Sequence, residues 1–374
     1  MVRRLAFVSV FVLAVTAGAA GTIQSGRQST RVTVSSGTVA TARRESPWGL
    51  LFPTSQSRSL VVTGLGGEIW REFVAPCGAQ MKVYKLHASP RTPHVVFTCA
   101  DSADDERAIM MIDLYRHGEP AKTLVRGRHT LLGWSPDGER IYYWDNSLQQ
   151  RGHIISRDPF ANVEDRHYCC ATVAMPGPGR SVIGIDHGDA DRLLELRPGG
   201  DPPREIVSRA GHISEIDASA DGELLYIGIR PDERSYASYA LEEVAVATGR
   251  TRHLMRVEGH HWLHRVAGDW ALVNQVTGCV LRNGKGRLES PCEDAWMVLS
   301  PQKVSLATGT ARVISSPPRV AGYWLTPDGA MLLVREWDKK EDSTAYYLRP
   351  DGRRLGPAPN QDGYGDPMWV RIGP

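Results

Sequence analysis

Seven short β-rich hexapeptides recur along the chain, and they constrain its fold more than any other feature. They are Ser59–Gly64 (SLVVTG), His94–Cys99 (HVVFTC), Arg140–Asp145 (RIYYWD), Ser181–Asp186 (SVIGID), Leu224–Ile229 (LLYIGI), Trp270–Gln275 (WALVNQ) and Met331–Glu336 (MLLVRE). Their starts lie 35, 46, 41, 43, 46 and 61 residues apart. A period of roughly 40–50 residues with four short strands per unit marks propeller blades. Seven units suit a closed ring, and closure removes the free edges of an open sheet. No long segment carries a helical period. The expected fold class is all-β, a seven-bladed β-propeller of four-stranded antiparallel blades. Met368–Ile372 (MWVRI) fits either a closing strand or the fourth strand of the last blade.

Three of the repeats open on a tight turn: Ser135-Pro136-Asp137-Gly138, Ser219-Ala220-Asp221-Gly222 and Thr326-Pro327-Asp328-Gly329. A hydroxyl to cap, a residue with preset φ and a final glycine suit a type I turn. The stretch Trp134-Ser135-Pro136-Asp137-Gly138-Glu139-Arg140-Ile141-Tyr142 resembles the signature of TolB-type, WD-repeat-like propellers. That resemblance implies a fold, with family members serving as binding platforms or as domains beside a hydrolase. It leaves function to be argued from sites.

Residues 1–20 read as an export signal: Arg3 and Arg4, an apolar run from Leu5 to Val15, then Ala17-Gly18-Ala19. The run is too short to cross a bilayer of about 30 Å as a helix. Residues 21–46 read as a flexible polar leader, rich in Ser, Thr, Gly and Arg. Residues 47–374 remain for a single propeller. The expected location is extracytoplasmic, periplasmic or secreted, with no membrane insertion. Lys plus Arg number 44 against 42 Asp plus Glu, a net charge of +2 that argues against a nucleic-acid partner.

Six cysteines in an exported chain favour disulfides. Cys279 and Cys292 flank a hairpin turning at Asn283-Gly284-Lys285-Gly286 and are expected to pair. Cys77 and Cys99, on adjacent blades, are the second expected pair. Cys169-Cys170 reads either as a vicinal bridge or as two thiols.

Two constellations carry chemistry. Loops between second and third strands are acidic, and Asp186, Asp189 and Asp191 stand at spacings a calcium ion could use, although the twelve-residue calcium loop is not matched. The competing reading is solvated turns. The inter-blade loops hold His129, His167, His212 and His260, with Arg319 in the corresponding place ahead of the last repeat. If they converge at the channel mouth, they could bind a transition metal or act as general bases. Trp262 and His264 extend the densest patch, His260-His261-Trp262-Leu263-His264. Gly211-His212 and Gly259-His260 also resemble the Gly-His pair of WD repeats, which implies a hydrogen bond within the blade.

His-Glu-x-x-His, Gly-x-Ser-x-Gly, a phosphate loop and Cys-x-x-Cys are all absent from the sequence. The expected function is therefore a monomeric binding module for a protein, peptide or glycan partner. The alternative is a metal-dependent hydrolase, lyase or oxidoreductase with a histidine-lined site.

Overall fold

A computed structural model of the chain describes residues 47–372, apart from 55–58, 75, 79–80, 101–105, 117, 147–152, 162, 168–172, 200, 282–286, 289–294, 316–319, 338–342 and 359–366. The signal and leader segments, Cys169, Cys170, Cys292 and Arg319 lie outside the described residues. Every regular element described is a strand, and the strands form seven antiparallel sheets in a ring. Six sheets have four strands. The sixth blade has a fifth, because Trp270–Leu281 and Ala295–Ser305 run on as a long hairpin that also pairs with Arg287–Leu288. Cys279 lies near the end of the first of these strands, opposite Met297.

Six of the seven hexapeptides form the second strand of their blade, counted from the axis. The exception is the first. In blade 1 the order from the axis is Met368–Arg371, Trp48–Pro53, Ser59–Thr63, Ile69–Val74, so SLVVTG supplies the third strand. This accounts for the short first interval. Measured between second strands, from Trp48 to His94, it is 46 residues and matches its neighbours.

The C-terminal strand closes the ring. Trp48 pairs with Arg371 and Leu51 with Met368, and the Ile372 amide donates to the Pro47 carbonyl at 2.7 Å. Trp369 is buried, and its indole donates to the Trp324 carbonyl of blade 7 at 3.0 Å. Trp48 donates to the Asp328 carboxylate of the same blade at 2.7 Å. The last blade is completed instead by Arg354–Pro357.

The recurring turns form as their chemistry requires. Ser135 Oγ donates to Asp137 Oδ1 at 2.5 Å and accepts from the Arg140 amide at 2.9 Å. Ser219 and Asp221 repeat the arrangement. In blade 7, Thr326 accepts from the Met331 amide, and Asp328 from that of Ala330. Each final glycine has φ near +70°: 71° at Gly138, 75° at Gly222 and 71° at Gly329. Side chains strain in that region, and glycine does not.

Apolar side chains from facing sheets fill the seams between blades. Leu60, Val62, Val83, Val95 and Phe97 form one such cluster between blades 1 and 2. The expected disulfide Cys77–Cys99 crosses the same seam, with Cα atoms 5.5 Å apart.

Two stability outcomes follow. Trp369→Ala is expected to cost about 3–5 kcal/mol in denaturant unfolding, the usual range for a buried aromatic. A cost below about 1 kcal/mol would show that the C-terminal strand does not close the ring. Removing the disulfide with Cys77→Ser plus Cys99→Ser reopens a loop of 22 residues, and is expected to cost about 3 kcal/mol.

Candidate functional site

Innermost strands begin on the face where the loops between second and third strands open. The register shows it: His129 faces Asp145 and His212 faces Arg230, each the last residue of a second strand, and His261 faces Gln275, from which the second strand of blade 6 runs on to Leu281. The sequence-expected histidines therefore share a rim, but they do not share a cavity. His129 is buried in blade 3, with Nε2 3.1 Å from the Arg126 carbonyl and its ring edge-on to Tyr143. His167 ends the outermost strand of that blade, Glu164–His167, fully buried between Ser156 Oγ at 3.1 Å and the Leu196 carbonyl at 3.3 Å. Burial pulls its pKa down. His260 packs on Tyr236 and Trp262, with ring centroids 4.0 and 5.4 Å away.

His212 is different, because its partner is a carboxylate that a second histidine shares. Its Nδ1 lies 3.2 Å from Asp191 Oδ2, at the start of the third strand of blade 4, Asp191–Leu196. His187 Nδ1 lies 2.7 Å from the same oxygen, and the two imidazoles stack at 4.7 Å. The Ile213 amide donates to that oxygen as well, at 2.7 Å. The carboxylate is buried, while both histidines keep about a quarter of their side-chain surface exposed (27% and 21%). Among the described residues, this is the only group of three metal-capable side chains. The other two aspartates of the acidic loop do not join it. Asp186 pairs with Arg192, and Asp189 is exposed at the loop tip. The calcium spacing involves the loop's carboxylates alone, whereas His187, between Asp186 and Asp189, supplies the second imidazole.

Beside this cluster, Arg230 pairs with Glu215 at 2.6 Å and lies over the Tyr236 ring at 4.9 Å. Trp262 is half-buried against His260. His212, His260 and Trp262 thus occupy one sector of the rim, across blades 5 and 6.

The ring axis holds a second group, invisible in the sequence because it depends on bulges. The innermost strands of blades 2, 3, 5 and 6 all lose register midway, at Tyr84/His87, Leu131/Gly133, Ile213/Glu215 and Leu263/Arg265. Such bulges re-aim side chains. Lys85, with φ of 41°, is the one described non-glycine residue at positive φ. His264 falls in the bulge of blade 6. It keeps open solvent contact although protein closely surrounds it, as befits a channel-lining side chain. Burial lowers the pKa of His87, and the positive charges of Lys85 and Arg265 add to the effect. Asp217 accepts from the Val266 amide at 2.6 Å. Burial raises its pKa, against the opposing pull of Arg265 and that amide.

A third feature lies on the outer wall. Ile69–Val74 is the outermost strand of blade 1, and Ile69 and Val74 are 67% and 75% exposed. Trp70 and Tyr115 are exposed beside them, edge to face at 5.7 Å. Four of the nine exposed large apolar residues described lie here. Trp70, Phe73, Val74, Arg116, Glu119 and Pro120 help to line an open groove of about 500 Å³. On the outermost strands of blades 2, 3 and 5 the exposed positions are polar: Lys122 and Arg126, Glu164 and Arg166, and Arg252, Arg256 and Glu258; blade 6 exposes a single valine, Val313, beside Arg312.

The fold defines the class: a seven-bladed β-propeller, with loops on one rim, a polar channel and one apolar outer edge. No family model matches the chain, and no curated protein is similar to it. Solved structures are similar in fold. An uncharacterized protein from Listeria monocytogenes gives a TM-score of 0.57 at 11% identity, over 85% of this chain and 93% of that one. An oligogalacturonate lyase in complex with manganese gives 0.54 at 13% identity, over 85% and 92%. TolB from Acinetobacter baumannii gives 0.46 at 12% identity, over 92% and 89%. The chain spans only 42% of the length of a prolyl endopeptidase that it also matches. At these identities the likeness is one of fold. Among the described residues, no helix is long and apolar enough to cross a membrane.

The polar interior makes stability depend on pH. Burial, reinforced by neighbouring cations, lowers His87, His260 and His264 from 6.5 to about 4. Between those values the unfolded chain takes up protons that the folded chain refuses, so stability falls as pH falls from 6.5 to 4. Asp217, raised by burial, works in the opposite sense, against these three and against His94, His167 and His261, which burial also lowers. The thermal midpoint is expected to drop over this window and to drop less in His87→Gln. A midpoint that stays level or rises would contradict this.

Proposed function

We propose that this chain is an exported, monomeric binding propeller, and that its partner is a protein that adds an extended segment to the outer edge of blade 1. The observation that carries this reading is the apolar, unguarded strand Ile69–Val74. Free strand edges invite pairing, and natural proteins normally guard them with charge. Here only Glu72 and the buried Arg71 carry charge within the strand, and Ile69, Trp70 and Val74 face solvent.

The strand is also held ready. Arg71 donates to the Leu114 carbonyl of blade 2 and lies over the Trp70 and Phe73 rings at 5.6 and 5.4 Å. An edge already fixed in place loses less freedom when a partner docks. Main-chain groups along it supply affinity, and alternate side chains of the partner find the groove. A glycan has no main chain to pair with such an edge, so a protein or peptide is the favoured partner. The disulfide between Cys77 and Cys99 suits an oxidising compartment, in line with the signal read at residues 1–20. Of the four loop histidines behind the enzyme alternative, His129, His167 and His260 belong to separate surroundings, and His212 alone meets a second histidine.

A displayed library of random peptides selected against the purified chain tests this. Enriched sequences are expected to alternate apolar residues and to bind Trp70→Ala and Val74→Lys at least about tenfold more weakly, a loss of about 1.4 kcal/mol. Val313→Lys, at an exposed valine in blade 6, should leave binding unchanged. Selected peptides that bind both blade 1 variants at full strength would refute the proposed edge.

A further inference from the structure

We infer that His187, Asp191 and His212 form a binding site for a divalent first-row transition metal ion, with zinc the best match. The site joins blade 4 to blade 5 and is separate from the apolar edge of blade 1.

Three donors converge there from two blades. The loop between Val182–Asp186 and Asp191–Leu196 brings His187 and Asp191, and His212 opens the innermost strand of blade 5. One ligand atom from each residue falls within 4.8 Å of the other two. The Nδ1 atoms of His187 and His212 stand 2.7 and 3.2 Å from Asp191 Oδ2. In a tetrahedral zinc site with bonds of about 2.0–2.1 Å, ligand atoms are spaced by roughly 3.3 Å. Small rotations of the two partly exposed imidazoles would open the triangle to that size.

Hydrogen bonding alone serves this arrangement poorly. Asp191 Oδ2 is hydrogen-bonded by His187 Nδ1 and by the Ile213 amide, which fill its two lone pairs, while His212 Nδ1 stands 3.2 Å away without a hydrogen bond. An ion between the imidazoles and the carboxylate resolves the crowding. The nitrogens then give lone pairs rather than protons, and the Ile213 amide remains as the outer bond that orients the carboxylate. Two imidazoles and one carboxylate select zinc and its neighbours over calcium, which prefers a shell of oxygens. With three protein ligands and partial exposure, a fourth position stays open to water or to a ligand from solution.

The ligands also sit where an ion would matter mechanically. Asp191 already ties blade 4 to the first residues of blade 5 through the Ile213 amide, so a bound ion strengthens an existing seam. An ion that binds only the folded chain raises stability by mass action.

The full chain, stripped with chelator and then titrated calorimetrically with zinc chloride, tests the inference. One ion per chain is expected, with a rise in thermal midpoint and, on substitution by cobalt(II), the visible absorption of a low-coordinate site. His187→Ala removes a loop ligand without touching a strand, and is expected to weaken zinc binding more than about tenfold. Asp191→Asn should do the same, and His260→Ala should bind as the parent does. Absence of stoichiometric zinc binding would overturn the inference. So would parental affinity in a folded His187→Ala chain, or equal loss in His260→Ala.

Discussion

Closure of the ring by the C-terminal strand is the constraint on which the rest of the structure depends. Met368–Arg371 occupies the axial place in a blade whose other three strands come from the start of the described chain. Its loss would leave Trp48–Pro53 as an exposed inner edge and uncouple blade 1 from blade 7. Each later seam is then stitched by side chains that reach the next blade's backbone. Trp134 donates to the His87 carbonyl, Tyr323 to that of Leu299, and Asp217 accepts from the Val266 amide. The rim cluster of blades 4 and 5 and the groove beside blades 1 and 2 both straddle seams. Neither keeps its geometry unless the ring is closed.

Much of this architecture was legible in the sequence. The period of the hexapeptides identified the blades because each second strand is buried on both faces and reads as an uninterrupted apolar run. The Ser-Pro-Asp-Gly turns were legible because their chemistry is local, three or four residues solving one backbone problem. SLVVTG lies one strand further from the axis than the other six hexapeptides. Nothing within Ser59–Gly64 distinguishes a third strand from a second, and the distinction depends on a partner more than 300 residues away.

Functional positions were less legible, for a related reason. The expected ring of histidines rests on similar places ahead of each repeat, but side-chain direction depends on bulges and on local partners. His129 turns to a carbonyl of its own blade, His167 is buried between a hydroxyl and a carbonyl of blade 4, and His212 turns across a seam to a carboxylate. His187 lay inside a loop read for its carboxylates. Ile69-Trp70-Arg71-Glu72-Phe73-Val74 looks like any amphipathic strand. Its character emerges only once it is known to be outermost and compared with the charged edges of other blades.

The disc presents a rigid frame with one edge able to accept another strand, and hydrogen–deuterium exchange with a selected peptide bound tests that claim most directly. Ile69–Val74 is the strand expected to slow in exchange, with the outermost strands of blades 2 to 7 and the rim loops unchanged. Protection centred on the rim of blades 4 to 6, or on the outer edge of any other blade, would contradict the account.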